Sequence, residues 1–206
     1  MEEKVDIFDT TLRDGEQSAG IRLGASEKLA LARQLERLQV DVIEAGFPIS
    51  SPEDMEAVKL ISREVRYPVI CALSRAVKAD IDACGEAIAD AAKPRIHTGL
   101  GVSDIHVMKI FGDDKYGKTL EEKRQTVFNM SVEGVKHAKQ YVDDVEYYAM
   151  DAGRADEEFL LSLFKAVVEA GATVLNIPDT TGYATPEQFG ALVARIKNHV
   201  NDDRVT

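Results

Sequence analysis

The sequence has no tryptophan, only two cysteines and no long apolar run. Cys71 and Cys84 are too few for a disulfide framework, and they lack the spacing of a zinc site, so we expect reduced thiols. No apolar segment is long enough to span a bilayer, and the opening residues, MEEKVDIF, lack the features of a signal peptide. These absences predict a soluble cytoplasmic protein with no membrane partner.

Positive charge is also scarce. The chain has 25 lysines and arginines against 36 aspartates and glutamates, which gives a formal net charge of −11. This balance argues against a general binder of nucleic acid or anionic membranes. It still allows a local cationic pocket for an anionic metabolite, so a small-molecule partner is the expectation.

Short apolar runs alternate with helical patterns along the 206 residues. The runs contain few interruptions, which is typical of strands buried on both faces of a parallel sheet. The predicted strands are VDIFDTT from Val5, VDVIEAGF from Val40, PVICALS from Pro68, RIHTGLGV from Arg95, DVEYYAM from Asp144 and ATVLNIPD from Ala172. Between them, helices are predicted to begin at the capping residues Ser26, Ser51, Asp156 and Thr185. Phe111 to Lys123 is predicted to be an extended polar loop.

Repeated strand–helix units form either an open doubly wound sheet or a TIM barrel, (β/α)8. No G-x-G-x-x-G follows the first strand, which removes the main dinucleotide-binding hypothesis. A barrel gathers the carboxyl ends of all its strands in one mouth. Nearly every strand here ends in polar side chains: Arg13 with Asp14, Glu44, Arg75, His97, Asp151, and Asn176 with Thr180. We therefore predict an α/β fold of the TIM-barrel type.

The chain ends at NDDRVT, where a seventh strand is predicted to begin. A barrel needs about eight strand–helix units. We expect residues 1–206 to form a partial catalytic TIM-barrel domain, truncated after about six such units. The remaining strands would be absent.

Arg13 and Asp14 stand side by side where the first strand ends. A carboxylate at this place is a hard oxygen ligand suited to Mg²⁺ or Mn²⁺. A neighbouring guanidinium can stabilise an enolate oxygen or bind a carboxylate. The pair therefore suits chemistry at a 2-oxo acid. The alternative is an Arg–Asp pair that simply closes a turn.

Two further strand-end residues could join this chemistry. Glu44 lies in an otherwise apolar run and needs a partner, for which Arg13 is the obvious choice. A purely structural buried ion pair is the alternative. His97 could bind the oxo acid or move a proton, or it could be a packed or surface residue.

Asn176 and Thr180 follow the last predicted strand, with Asp179 between them. Amide and hydroxyl groups suit hydrogen bonding to a substrate carboxylate. The alternative is turn chemistry ahead of the helix cap at Thr185.

Five segments resemble the bacterial 2-isopropylmalate synthases, which belong to the metal-dependent TIM barrels called DRE-TIM metallolyases. The segments are FDTTLRDGEQ, VIEAGFP, RIHTG with SDIH, DAGRAD and NIPDTTGYATP, in this order. The resemblance implies a cytoplasmic acyltransferase of leucine biosynthesis that condenses acetyl-CoA with 2-oxoisovalerate. It also implies a Mg²⁺ or Mn²⁺ cofactor and a homodimer when complete. The first motif alone would admit homocitrate synthase, citramalate synthase and hydroxymethylglutaryl-CoA lyase.

The resemblance also implies a role for each matching residue. Asp14 would bind the metal, Arg13 would stabilise the enolate or carbonyl oxygen, and His97 would act beside it. The residues that would line the pocket or contact the oxo acid are Gln17, Glu44, Asn176 and Thr180.

Three departures from the family pattern matter. The His-x-His pair that supplies further metal ligands has no match here, and neither has the C-terminal leucine-sensing domain. Met150 stands where the family has a glutamate, and a thioether cannot replace a carboxylate in proton transfer. We expect this chain alone to be inactive. The alternative is a non-catalytic paralogue that acts by association.

Overall fold

The computed structural model describes residues 4–202 and 205–206. Its strands are β1 (Phe8–Asp9), β2 (Val42–Gly46), β3 (Val69–Arg75), β4 (Pro94–Gly101), β5 (Asp144–Met150) and β6 (Val174–Asn176). Its α-helices are α1 (Ala25–Arg37), α2 (Pro52–Glu64), α3 (Lys78–Ala87), α4 (Asp104–Ile110), α5 (Leu120–Ala138), α6 (Glu157–Glu169) and α7 (Pro186–Val200). None of the helices in this described part is long and apolar enough to cross a membrane.

The strands of the sheet follow the order of the chain, from β1 to β6. β1 pairs with β2, β2 with β3, and β5 with β6, all in parallel. A doubly wound sheet would reverse its strand order at a switch point, whereas a TIM barrel adds each strand beside the one before it. The sequential order confirms the prediction of a TIM-barrel fold with six strands within the described residues.

The chain forms two compact units. Within the described residues, unit 1 comprises residues 4–74, Lys78–His97 and Tyr141–Asp143; unit 2 comprises Arg75–Val77, Thr98–Gln140 and residues 144–202 and 205–206. The core of unit 1 consists of fully buried aliphatic side chains, among them Leu12, Ile43, Ile61, Ile70 and Ile96. Burying one such side chain contributes about 1.5–3 kcal/mol.

Unit 2 has a larger aromatic component. Tyr147 of β5 is fully buried, and its ring packs edge-on against Phe164 of α6 with centroids 6.3 Å apart. Its hydroxyl donates to Ser131 Oγ of α5 at 2.7 Å, which satisfies the polar end of a buried ring. Leu160, Leu163 and Val167 of α6 are also fully buried.

Three of the four predicted helix caps are present. Ser51, Asp156 and Thr185 accept the backbone N–H of Asp54, Phe159 and Gln188. The prediction that Ser26 caps α1 is wrong, because the cap is Gly24, whose N–H donates to the Glu27 carboxylate at 2.5 Å. Ser26 therefore lies inside the first turn.

Other predicted boundaries differ from the structure. β1 covers only Phe8 and Asp9 of the predicted strand from Val5, although Ile7 O still accepts two backbone N–H groups at the edge. The predicted loop from Phe111 to Lys123 contains a short 3-10 turn, Asp114–Tyr116, and the beginning of α5. Helices α3 and α4 were not predicted.

The predicted seventh strand falls partly on Asp203 and Arg204, which lie outside the described residues. Within the described part, Thr206 N donates to Thr173 O at 3.2 Å, and Leu175 N donates to Thr206 O at 2.9 Å. The last residue thus makes strand-like hydrogen bonds beside β6.

Candidate active site

Glu44 of β2 binds two of the predicted site residues at once. Its Oε2 accepts from Arg13 Nε at 2.5 Å, and its Oε1 lies 2.7 Å from His97 Nδ1. The Glu44 side chain is fully buried, that of His97 is 3% exposed, and that of Arg13 is 20% exposed. The predicted Arg13–Glu44 pair is present, and His97 of β4 completes a three-residue array that the sequence did not predict.

The charge of Glu44 follows from these contacts. Burial alone would raise the pKa of the Glu44 carboxyl, but the hydrogen bond and charge of His97 and the Arg13 guanidinium outweigh it and hold the pKa below its ordinary value. The carboxylate is therefore ionised at neutral pH and accepts hydrogen bonds from both partners. His97 Nδ1 must then carry a proton, which fixes the orientation of the imidazole.

Arg13 also contacts the adjacent acid. Its Nη1 lies 3.1 Å from Asp14 Oδ1, while the Asp14 side chain remains 63% exposed. Thr10 O accepts the backbone N–H groups of Arg13 and Gly15, which closes the turn after β1. The turn-closing pair thus exists, yet most of the Asp14 carboxylate faces solvent, where it could bind a ligand.

A cavity of about 240 Å³ lies against this turn. Its lining includes Arg13 and Gln17, so the structure brings these two predicted residues to one space. The remaining lining residues are Glu16, Phe47, Ser50, Asp54 and Leu73. Of these, Glu16 and Asp54 are acidic and were not predicted to line a site. An acid in the first turn of a helix is expected at the positive end of the helix dipole, so the position of Asp54 in α2 gave no sign of a cavity.

Both missed acids are bound by one lysine. Lys28 Nζ lies 2.5 Å from Glu16 Oε2 and 2.7 Å from Asp54 Oδ1. Lys28 is 1% exposed although it lies on α1. The sequence held one sign that Lys28 is buried: it stands four residues before Ala32 and so shares a helix face with the other buried residue of α1.

Asn176 and Thr180 lie in unit 2 and bind protein groups there. Asn176 Nδ2 donates to Glu146 Oε1 at 3.1 Å, and Thr180 Oγ1 accepts the backbone N–H of Asp151 at 3.0 Å. Asp179 accepts the backbone N–H groups of Tyr183 and Ala184. For Asp179, this is the turn chemistry considered as the alternative.

Asp151 directly follows Met150 and adopts a left-handed backbone with φ 68°. Its fully buried carboxylate accepts from Ser103 Oγ at 2.5 Å and from Arg154 Nη2 at 2.7 Å. His106 Nδ1 is 3.4 Å away and makes no hydrogen bond. Burial alone would raise the pKa of Asp151, but the bonds from Arg154 and Ser103 outweigh it and lower the pKa. The sequence marks Asp151 as a strand-end side chain and places Ser103, His106 and Arg154 in the SDIH and DAGRAD segments, but it does not show that they meet.

Within residues 4–202 and 205–206, no group of three His, Cys, Asp or Glu side chains is placed to hold a metal ion. Asp14 offers one exposed carboxylate of suitable chemistry. Mg²⁺ is usually held by one or two carboxylates, and waters and substrate oxygens complete its octahedral shell, so Asp14 could serve as one ligand but does not define a metal site by itself.

A sequential parallel sheet with charged groups after its strands defines a fold of the TIM-barrel class rather than a dinucleotide-binding domain. A family model described as HMGL-like matches residues 4–206, and the chain belongs to that family.

Among curated relatives, the 2-isopropylmalate synthase of Pyrococcus furiosus is 54% identical over 202 residues, covering 98% of this chain and 39% of the relative. That of Dictyoglomus turgidum is 51% identical, covering 97% and 38%. The chain thus spans less than two fifths of the length of these relatives.

Solved structures share the fold. The hydroxymethylglutaryl-CoA lyase of Bacillus subtilis has a TM-score of 0.72 at 20% identity, covering 98% of this chain and 67% of the lyase. That of Pseudomonas aeruginosa has a TM-score of 0.74 at 18% identity, covering 98% and 66%.

Proposed function

We propose that this chain belongs to a 2-isopropylmalate synthase-type acyltransferase, which condenses acetyl-CoA with 2-oxoisovalerate in leucine biosynthesis. The observation that carries the proposal is the Arg13–Glu44–His97 array, centred on the buried Glu44 carboxylate, beside the cavity lined by Arg13 and Gln17. The substrate pair is supported by curated relatives of that name, which are 51–54% identical over nearly the whole chain. A solved lyase of this fold is described in complex with coenzyme A and 3-methylmalate, which fits a thioester carrier.

The reaction makes a carbon–carbon bond and then breaks a thioester. A base removes a methyl proton from acetyl-CoA, and the resulting enolate attacks the carbonyl carbon of the oxo acid, whose oxygen becomes an alkoxide and takes up a proton. Water then cleaves the thioester, which gives a free carboxylic acid and the thiol of coenzyme A. Arg13 is held by Glu44 at Nε and by Asp14 at Nη1, so the guanidinium is oriented before substrate binds. Such a preorganised cation stabilises the developing oxyanion, and Gln17 can donate to the oxo acid carboxylate.

His97 is proposed to handle a proton in this site. Its Nδ1–H donates to Glu44, so in a neutral ring Nε2 is the acceptor nitrogen. Glu44 thereby positions both a cation and a base. Asn176 and Thr180 are proposed to contact the oxo acid or its immediate neighbours.

The cofactor is proposed to be Mg²⁺ or Mn²⁺, with Asp14 as one ligand and Arg13 beside it. Such an ion would polarise the oxo acid carbonyl. Because the described residues supply no group of three ligands, the 206-residue chain alone is proposed to be inactive. The complete protein is proposed to be a cytoplasmic homodimer.

The test is to express the complete gene and measure release of coenzyme A from acetyl-CoA with 2-oxoisovalerate, pyruvate and 2-oxoglutarate. We expect 2-oxoisovalerate to give the highest kcat/KM. Arg13→Ala should lower kcat/KM on the order of 10²-fold or more, because a preorganised oxyanion partner is lost. A preference for pyruvate or 2-oxoglutarate would instead indicate a citramalate or homocitrate synthase.

A second candidate is a non-catalytic chain that acts by association. Met150 favours it, because a thioether at the end of β5 cannot transfer a proton. Met150→Glu separates the two candidates. If only this acid is missing, the variant should gain activity on the order of 10²-fold, as general acid–base catalysis typically contributes. No turnover by either protein would favour association.

A further inference from the structure

Lys28 is a buried cation that the proposed reaction does not use. It lies on α1, yet only 1% of it is exposed. A lysine buried this deeply is costly unless its charge is paired. Here it is paired twice, with Glu16 at 2.5 Å and Asp54 at 2.7 Å.

These two acids belong to different elements. Glu16 lies in the 3-10 turn Gly15–Gln17, between Asp14 and Gln17, and Asp54 lies in the first turn of α2. Ser50 Oγ donates to the other oxygen of Asp54, and Glu16 Oε1 accepts from Leu23 N at 3.3 Å. Lys28 therefore ties the turn after β1 to the helix after β2.

The same turn has a second attachment through Arg13, whose Nε binds Glu44. The turn is thus held at Arg13 by a buried carboxylate and at Glu16 by a buried ammonium. Gln17 is the residue next to Glu16, and the cavity is lined by Arg13, Glu16, Gln17 and Asp54.

We propose that Lys28 is a positioning residue, which holds the Arg13–Gln17 turn in the geometry that binds the oxo acid. This inference rests on the proposed function for the identity of the ligand. That Lys28 holds the turn in place is independent of the proposed function.

The test compares variants of the protein expressed from its complete gene. Lys28→Met removes the cation. Arg33→Met is the matched control, since Arg33 lies on the same helix and pairs with Glu64 of α2 at 2.8 Å, but with both side chains about half exposed. Lys28→Arg keeps the charge.

The first readout is amide hydrogen exchange within the turn. The N–H groups of Arg13, Gly15, Gln17 and Ser18 are hydrogen-bonded to carbonyl oxygens inside it. Lys28→Met should speed their exchange on the order of tenfold, because the turn opens locally. Arg33→Met should leave it unchanged, and Lys28→Arg should restore part of the protection.

The second readout separates positioning from stability. A triple variant, Lys28→Met with Glu16→Gln and Asp54→Asn, has no unpaired buried charge, so its unfolding free energy should recover. Positioning predicts that its turn amides still exchange fast and that 2-oxoisovalerate, measured by calorimetry, binds about tenfold more weakly than to the wild type. A merely structural role predicts that both recover.

Wild-type exchange rates at the turn in Lys28→Met or in the triple variant would overturn the inference. Should Lys28→Met fail to fold, the triple variant decides. Should the wild type bind no 2-oxo acid, the proposed function fails, and the exchange rates alone decide whether Lys28 holds the turn.

Discussion

Glu44 and His97 are 53 positions apart in the chain, and their side chains meet at 2.7 Å in the interior of unit 1. Neither is more than 3% exposed. The other oxygen of the same carboxylate binds Arg13. One buried anion therefore orients both the guanidinium proposed to stabilise an oxyanion and the imidazole proposed to move a proton. Glu44 thereby couples the stability of the unit to the geometry of the candidate site.

Glu44→Gln should destabilise the protein by about 3 kcal/mol, because removing one partner of a buried pair leaves the others without a counter-charge. Urea unfolding measures the effect. The control is Glu64→Gln, whose half-exposed pair with Arg33 should be worth at most about 1 kcal/mol. Equal losses in the two variants would contradict a stabilising role for the array.

The contribution of Glu44 should depend on pH in a defined direction. Its folded pKa lies below the ordinary value of 4.5, so its stabilising effect is present above that pH. The effect is lost as pH falls through the folded pKa. The difference in unfolding free energy between wild type and Glu44→Gln should therefore shrink as the pH falls below 4.5. The difference is the quantity to follow, since several other carboxyls, Asp41, Asp113, Glu122 and Asp151, also have lowered pKa values. An increase in this free-energy difference at acidic pH would contradict the prediction that the ionised Glu44 carboxylate stabilises the protein.

Substitutions of Asp151 should separate backbone strain from lost hydrogen bonds. Ala loses the bonds to Ser103 and Arg154 and also suffers in the left-handed conformation, so we expect about 3–5 kcal/mol of destabilisation. Gly loses the same bonds without the backbone penalty, so Asp151→Gly should destabilise the protein by about 1 kcal/mol less than Asp151→Ala. Asn tolerates the conformation and can still accept from Ser103, so it should be the mildest change. Thermal or urea unfolding of the three variants checks this order; Ala milder than Gly would contradict it.

Two glycines should respond oppositely to alanine. A Cβ on Gly99 would overlap the carbonyl oxygen of Tyr148 and lie 2.7 Å from its ring. Gly99→Ala should therefore cost more than about 3 kcal/mol or abolish cooperative unfolding, since the β4 backbone must move. Gly190 lies within α7, and nothing is within 4 Å of the place that an alanine methyl would take, so Gly190→Ala should stabilise by about 1 kcal/mol. Circular dichroism during urea titration measures both; a wild-type midpoint for Gly99→Ala would refute the clash.

Much of the fold was predictable because its signals are local. Ser51, Asp156 and Thr185 each cap the helix that directly follows them, and the interaction spans three residues. The prediction failed at Ser26, because the Gly24 backbone N–H and the Glu27 carboxylate form the cap instead. Helix α4 has only seven residues, which is too short to establish a helical period, and its Ile105, Met108 and Ile110 are about half exposed.

The candidate site was predictable only in part. An acid in an apolar strand demands a counter-charge, which correctly indicated Arg13 for Glu44. That His97 would share the same carboxylate depends on how separate strands align, which no local pattern encodes. Lys28 was missed because a lysine on an amphipathic helix ordinarily faces solvent.

The pairing of the strands has a consequence for synthesis. In unit 1, β1 pairs with β2 and β2 with β3; in unit 2, β5 pairs with β6, and Thr206 bonds beside β6. Each partner is the strand that the ribosome has just released, about 30 residues earlier for one βαβ unit. The entropic cost of closing a loop rises with its length, so pairing with the preceding strand costs less than pairing with a more distant one. The nascent chain can therefore extend its sheet strand by strand, each new strand docking on one already in place.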